Sequence, residues 1–248
     1  MKKDLQKSKK IKKFLLPASI FILTLLAFAF VLIAHRPARY SPVKITDQNQ
    51  ISPYLTKQLM PKIYNGAQLG QSFEVVITQD GLNDIIARRR QPVKLRNITL
   101  ADPQVILLPE QIILMAAVKT SPLDLFASIE LNPSIDQRGL MNLHINNVSL
   151  GAVNVTPVAL SIGNKAFSNW LVSTGTEPNN IIAQICRSLL SDEPFEPTFE
   201  IGGKMLRITS IKLADKKITC LLIPVPDQPD HIQGKTQTAG QSQPTSAR

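Results

Sequence analysis

Few residues in this chain have the types and spacing that catalysis requires. Ser161 and Lys165 approach a serine–lysine pair, but they lie four residues apart, one more than the S-x-x-K motif allows. His144 falls on the polar side of an apolar alternation and has no second histidine or cysteine nearby, which favours an exposed strand residue over a metal ligand. Neither group therefore predicts a reaction.

The acidic residues lead to the same interpretation. Glu74, Asp80 and Asp84 lie close in sequence, but helix capping and solvation explain their positions. The chain contains no nucleophile elbow, phosphate loop, dinucleotide fingerprint or paired-cysteine metal motif. We predict a protein that is not an enzyme, with no catalytic residue, no metal site and no cofactor.

The strongest indication of a binding site is a run of apolar residues. Ile112–Val118 reads IILMAAV, with seven consecutive apolar residues instead of an alternation, so both faces of this strand should be sheltered from water. A helix is expected on one face. A partner, a membrane or an apolar ligand is expected on the other, with an ordinary second layer as the alternative. The predicted ligand groove is lined by Ile112, Leu114, Met115, Val118, Leu160, Phe167 and Leu171.

Hairpin-forming strands should carry this groove. Proline, glycine and aspartate punctuate five apolar runs at short intervals, which favours an antiparallel meander. The runs are Val93–Leu100, Val105–Leu108, Ile112–Val118, Leu123–Leu131 and Leu140–Leu150. In the last run the apolar parity slips at Asn146-Asn147, which predicts a bulge that bends the strand.

The sequence predicts helices before and after the meander. Thr78 should cap a helix after the strand Phe73–Ile77, and Thr156-Pro157 should begin one that continues over Val158–Leu171. The other predicted elements are a broken helix over Ile51–Tyr64, a helix over Asn179–Leu190, and strands over Phe199–Ile201, Met205–Leu213 and Ile218–Ile223. The predicted fold class is α+β: a curved antiparallel sheet packed on one or two long helices, preceded by a transmembrane helix.

The N-terminal sequence is the basis for the predicted transmembrane helix. Phe14–Ala34 is uncharged over 21 residues, and a helix of that length spans roughly 31 Å, close to the ~30 Å hydrocarbon core of a bilayer. Seven lysines precede it, which predicts a cytoplasmic N-terminus and an extracytoplasmic remainder. A cleaved signal peptide is the alternative, but the apolar run is long for one.

Charge and composition complete the predicted domain plan. Of the net charge of +10, residues 1–13 with seven lysines and Asp4 account for +6, and the remaining +4 is too scattered for a nucleic-acid groove. We predict a basic cytoplasmic tail (1–13), a membrane anchor (14–34), a stalk (35–49), an extracytoplasmic α+β domain (50–224) and a disordered tail (225–248). Cys186 and Cys220 could be two buried thiols or a disulfide, and their spacing does not decide.

Three segments carry a resemblance to a known family. They are FEVVITQDGLNDIIA, GLMNLHINNVSLGAVNVTPVALSIGNKAF and the closing RITSIKLADKKITCLLIPV. With the lysine-flanked apolar run, their order resembles the YpmS-like family of single-pass bacterial envelope proteins, over about residues 10–224. That family is distantly similar to tubular lipid-binding domains, in which a curved sheet wraps a long helix. The resemblance implies no catalytic residues.

Two functions remain open from the sequence. The first is a membrane-anchored, non-enzymatic domain that binds a lipid or other amphipathic molecule in the apolar groove. The second is an envelope interaction or assembly module whose same surface docks a protein partner without a ligand. A nucleic-acid partner is not expected. The sequence identifies neither the ligand nor the oligomeric state.

Overall fold

The computed structural model describes residues 19–45, 50–88, 93–95, 98–120, 123–175, 177 and 180–226. Its helices are α1 (19–33), a π-helical turn Leu55–Leu59, α2 (Met60–Gln68), α3 (Gln79–Ala87), α4 (Thr156–Thr174) and α5 (Ile181–Ser191). Its strands are β1 (Phe73–Thr78), β2 (Val93–Leu95), β3 (Ile98–Leu108), β4 (Gln111–Lys119), β5 (Asp124–Ile135), β6 (Met141–Leu150), β7 (Val153–Asn154), β8 (Thr198–Ile201), β9 (Lys204–Ala214) and β10 (Lys217–Pro224).

The strands form two antiparallel sheets. The larger sheet is a meander in the order β2-β3-β4-β5-β6-β7, and the smaller has the order β1-β10-β9-β8. The α+β composition agrees with the prediction, but a single curved sheet does not. The prediction fails because β1 pairs with the C-terminal strand β10, with Phe73 opposite Leu222, and local sequence patterns do not report such a long-range pairing.

The helix predicted to cross a membrane is also corrected. Of Phe14–Ala34, residues 14–18 lie outside the described residues, and residues 19–33 form α1. At about 1.5 Å per residue, the described residues 19–33 span roughly 22 Å, less than the ~30 Å hydrocarbon core. Among the residues that the structure describes, no helix is both long and apolar enough to span a bilayer. The transmembrane, single-pass and signal-anchor predictions are therefore wrong.

The segment after α1 packs against the larger sheet, and we call residues 35–45 the strap. Tyr40 is 5% exposed, and its hydroxyl donates to the carbonyl of Asp102 at 2.7 Å. The backbone amide of Ser41 donates to Gln104 Oε1 at 2.7 Å. The strap includes most of the predicted stalk, whose residues 46–49 lie outside the described residues.

The smaller sheet has its own core. Val75, Leu206, Cys220 and Leu222 form it together with Ala67 of α2. Cys186 and Cys220 are both free thiols, so the disulfide alternative does not apply to this structure. Burial raises the pKa of Cys220 to about 11.

Helix α3 joins the two sheets. Thr78 accepts a hydrogen bond from Gly81 N at 3.2 Å and caps α3, as the sequence predicts. On the same helix, the buried Asn83 donates to Val105 O and accepts from Val105 N, both at 2.8 Å. The helix thereby satisfies both backbone hydrogen-bonding groups of Val105 in β3.

Several sequence predictions fall outside the described residues. These are the basic tail 1–13 and most of the predicted disordered tail (227–248). The prediction of an extracytoplasmic location rests on the first of these segments and stays a prediction. The domain boundaries stay predictions as well.

Candidate ligand-binding face

Strand β4 divides the larger sheet into two unlike faces. Side chains alternate along a strand, so Ile113, Met115 and Ala117 point to one face, and Ile112, Leu114 and Ala116 to the other. The first three are buried, and the second three are half-buried. The all-apolar sequence of this strand therefore has two different explanations, one for each face.

The buried face is closed by the strap. Tyr40 forms a cluster with Ile106, Ile113, Met115 and Ala117, and its ring lies 5.2 Å from that of Phe126. The Arg36 guanidinium lies 5.5 Å from the centre of the Tyr40 ring and covers the outer side of this cluster. We call this the closed face.

The opposite face is apolar but only partly covered. Leu114 lies opposite Ile129, which in turn lies opposite Val148. One pair further along, Ala116 lies opposite Ala127, which lies opposite Leu150. All six are half-buried in the described structure. These residues form what we call the open apolar face: Leu114, Ala116, Ala127, Ile129, Val148 and Leu150.

The same side of the sheet is sealed at its other end. Leu107 has no exposed surface, and its neighbours Val105 and Leu131 are 6% and 7% exposed. Gln79 of α3 accepts from Leu107 N at 2.8 Å, and Lys216 N of the β9–β10 turn donates to Leu107 O at 3.0 Å. Contacts with α3 and the β9–β10 turn thus bury this end of the sheet more completely than the open apolar face.

The long helix α4 follows directly after β7. Pro157 lies in its first turn, and Gly175, with φ of 59°, ends it in the left-handed conformation that glycine adopts without strain. The Asn164 side chain ties α4 to α5 by donating to Leu190 O at 3.2 Å. None of its residues is fully buried. Its half-buried apolar side chains lie along one stripe: Leu160, Phe167, Trp170 and Leu171.

The structure separates the predicted groove residues into three groups. Met115 lies on the closed face in the cluster with Tyr40, whereas Leu114 lies on the opposite face. Ile112, Leu114 and Val118 share the opposite side of the sheet, although Val118 is buried at 8% exposure. The remaining three lie on α4, which contacts α5 and β6. They are Leu160, Phe167 and Leu171.

Sequence reasoning missed most of the open apolar face. Ala116 lay inside the recognised run, but Ala127, Ile129, Val148 and Leu150 were not assigned to the site. The missing information is the register between strands. The parity slip at Asn146-Asn147 was available as a signal, and the structure confirms a bulge there, since Glu130 pairs with Asn147 and Leu131 with Ile145. That bulge brings Val148 onto the apolar side.

The polar candidates do not assemble into a catalytic arrangement. Ser161 and Lys165 are both exposed on α4, and His144 Nδ1 lies 2.7 Å from Asp192 Oδ1 in an exposed pair. Within the described ranges, no group of three or more histidine, cysteine or acidic side chains could hold a metal ion. The absence of enzymatic activity stays a prediction.

Asp84 has a structural role. Ser52 Oγ and Arg88 Nε both donate to its carboxylate, the latter at 2.9 Å. Burial alone would raise the pKa of Asp84, but these hydrogen bonds outweigh that effect and lower it. The contact holds the start of the π-helical turn against α3.

The open apolar face and the helix α4 are thus the features from which a function must be argued. The resemblance to the YpmS-like family stays a prediction. No protein-family model, curated protein or solved structure matches this chain.

Proposed function

We propose that this chain is a non-catalytic binding domain that holds the alkyl part of a lipid, or of another amphipathic molecule, on the open apolar face. The observation that carries the proposal is the half-buried state of six adjoining apolar side chains from three paired strands. No polar side chain interrupts the Leu114–Ile129–Val148 and Ala116–Ala127–Leu150 rows.

An alkyl chain suits this surface because it needs no hydrogen-bond partner. Each methylene group that leaves water contributes about 0.8 kcal/mol, so a chain with ten buried methylenes would gain about 8 kcal/mol before the costs of association. The net value would fall well below that gain. Binding in the micromolar range, or weaker, is the reasonable expectation.

A protein partner is the second candidate, and a different surface favours it. Val158, Ile162 and Val172 of α4 are 61%, 64% and 86% exposed. These residues lie on the side of α4 that does not face α5. A partner helix could cover them without using the open apolar face at all.

Binding of dodecanoic acid to the full chain separates the two functions. Leu114→Lys places an ammonium group on the open apolar face, and Val172→Lys places the same group on the exposed side of α4. Titration should show saturable binding to the unaltered protein and to Val172→Lys, with at least about tenfold weaker binding to Leu114→Lys. Equal binding to all three forms, or no saturable binding, would refute the open apolar face as the site.

A further inference from the structure

The end of α4 and the start of α5 lie together, at the end of the helix pair that the sheet does not hold. The hydroxyl oxygens of Thr156 and Ser188 accept hydrogen bonds from backbone amides of β6 at 2.8 and 2.9 Å, which fixes the start of α4 and the end of α5. At about 1.5 Å per residue, Val172 lies about 24 Å along α4 from Thr156. We call residues 172–175 and 180–182 the tip.

Apolar side chains dominate the surface of the tip. Val172 is 86% exposed, and Ile181 and Ile182 are 36% and 56% exposed. Every residue of the tip is exposed. Two residues before Val172, the half-buried Trp170 stacks on Phe167 with ring centres 6.0 Å apart. Three branched aliphatic side chains thus face solvent next to an indole ring.

Polar groups of the tip form hydrogen bonds within the tip and with the preceding turn of α4. The hydroxyls of Ser173 and Thr174 donate to Trp170 O at 3.0 and 2.8 Å. The Asn180 side chain accepts from Ile182 N at 2.9 Å and caps α5. Moving a polar group out of water costs much less when it keeps such a partner. These groups therefore remain paired when the tip enters an apolar medium.

The charges near the tip distinguish a lipid surface from an apolar protein surface. Neither α4 nor α5 contains an acidic residue, and Lys165 is the only charged residue of α4. Lys165 is exposed and lies seven residues before Val172, which places both on one side of the helix about 10 Å apart. A cation set back from an apolar end, with an indole between them, matches a bilayer surface, where phosphates lie outside the acyl chains. The exposed Glu177 between the helices limits the depth to this surface layer.

We propose that the tip inserts into the surface of a phospholipid bilayer. Val172, Ile181 and Ile182 enter the outer part of the acyl-chain region, and Lys165 contacts headgroup phosphates by extending its methylenes along the helix. No residue of the open apolar face takes part. The proposal therefore stands or fails separately from the binding of an alkyl ligand on that face.

Fluorescence quenching tests the insertion, because Trp170 is the only tryptophan of the chain and reports on the tip alone. The full chain is mixed with vesicles of phosphatidylcholine and phosphatidylglycerol, with or without bromine on the acyl chains of the phosphatidylcholine. The brominated vesicles should quench Trp170. Val172→Glu should lose most of this quenching, because a carboxylate is costly to bury among acyl chains. Val158→Glu is the matched control on the same side of α4, since Val158 is 61% exposed but lies outside the tip.

The headgroup contact has its own variant. Lys165→Gln should be quenched less than the unaltered protein on the same vesicles, because it lacks the charge that attracts phosphates and phosphatidylglycerol. Circular dichroism verifies that the variants remain folded, as the exposure of all three positions predicts. The proposal is overturned if vesicles leave Trp170 unquenched, as expected for a tip that binds a protein. Equal quenching of Val172→Glu and Val158→Glu, or of Lys165→Gln and the unaltered protein, also contradicts it.

Discussion

The Tyr40 hydroxyl donates a 2.7 Å hydrogen bond to the carbonyl oxygen of Asp102, 62 residues further along the chain. Asp102 has φ of 49° and lies in the irregularity of β3 where the register with β4 shifts between Ala101 and Gln104. The bulge leaves a carbonyl without a strand partner, and Tyr40 supplies one. The strap thus closes one face of the larger sheet in two ways. Its apolar side chains pack against the sheet, and the Tyr40 hydroxyl donates a hydrogen bond to the backbone carbonyl of Asp102 in the bulge.

Replacing Tyr40 by phenylalanine tests this bond alone. The ring contacts remain, but the carbonyl of Asp102 loses its donor, so the free energy of unfolding should fall by about 1–2 kcal/mol. Urea denaturation would measure the change. Tyr64→Phe is the matched control, because Tyr64 is 49% exposed and its substitution should leave the midpoint unchanged. An equal effect of the two substitutions would contradict the role of the bond.

Gly151 tests how the end of α1 meets the sheet. A Cβ on this residue, whose φ is +59°, would collide with the carbonyl oxygens of Leu32 and Ile33. Gly151→Ala should therefore displace the start of the strap, and trypsin should cleave after Arg39 faster than in the unaltered protein.

Gly139→Ala is the control for that experiment. Gly139 has φ of +78°, and apart from its chain neighbours no atom lies within 4 Å of the position that an added Cβ would occupy. Alanine there introduces only the backbone strain of about 1 kcal/mol. Cleavage in the strap should be unchanged by this variant. Similar cleavage rates for the two alanine variants would show that the contact with α1 does not hold the strap.

Local patterns predicted the elements well and their partners poorly. The alternation of Met141, Leu143 and Ile145 correctly indicated β6, and Thr78 correctly indicated the start of α3. Burial of Tyr40 was not predictable, because it depends on a bulge 62 residues away. The short polar segment around it resembled a stalk, since nothing in its own sequence identifies the surface that it covers.

The same limit applies to the candidate site, where the sequence identified the strand but not what covers each of its faces. The seven apolar residues in Ile112–Val118 predicted two sheltered faces, and the structure shows one buried face and one that is largely half-buried. Which face is closed depends on the strap and on α3, and neither can be placed from the sequence of β4. Strand geometry alone places Leu114 and Met115 on opposite faces, but the sequence does not distinguish the environments of the two faces.

Asn83 makes the most specific contact between α3 and β3. Both of its hydrogen bonds go to the backbone of Val105, and its side chain is buried. Asn83→Asp keeps the size but replaces the donor by an oxygen that faces Val105 O, so the stability should fall by about 3 kcal/mol. Thermal unfolding would measure this. Asn169→Asp, at an exposed position of α4, should have little effect, and a comparable loss there would rule out this explanation.

Because the Cys220 thiol is buried, we expect the protein to become less stable at alkaline pH. Burial raises its pKa from 9.0 to about 11, so the folded state favours the neutral thiol. That contribution is fully present below pH 9 and is lost as the pH rises through 11, with a total of about 2–3 kcal/mol. Cys220→Val has no ionisable group at this position. Between pH 9 and about 11, the unaltered protein should therefore lose stability relative to Cys220→Val. A difference independent of pH would contradict the prediction.

Leu114 and Met115 test the unlike faces of β4 directly. Met115 packs against Tyr40 in the closed face, where a lysine ammonium would have no partner, so Met115→Lys should unfold the protein. Leu114 is half-buried on the open apolar face, and a lysine there can extend its methylenes along the surface and keep its charge in water. Leu114→Lys should thus cost about 1–2 kcal/mol and preserve the circular dichroism spectrum. If Leu114→Lys unfolds the protein as completely as Met115→Lys, both faces of β4 belong to an ordinary core and no ligand-sized opening exists there.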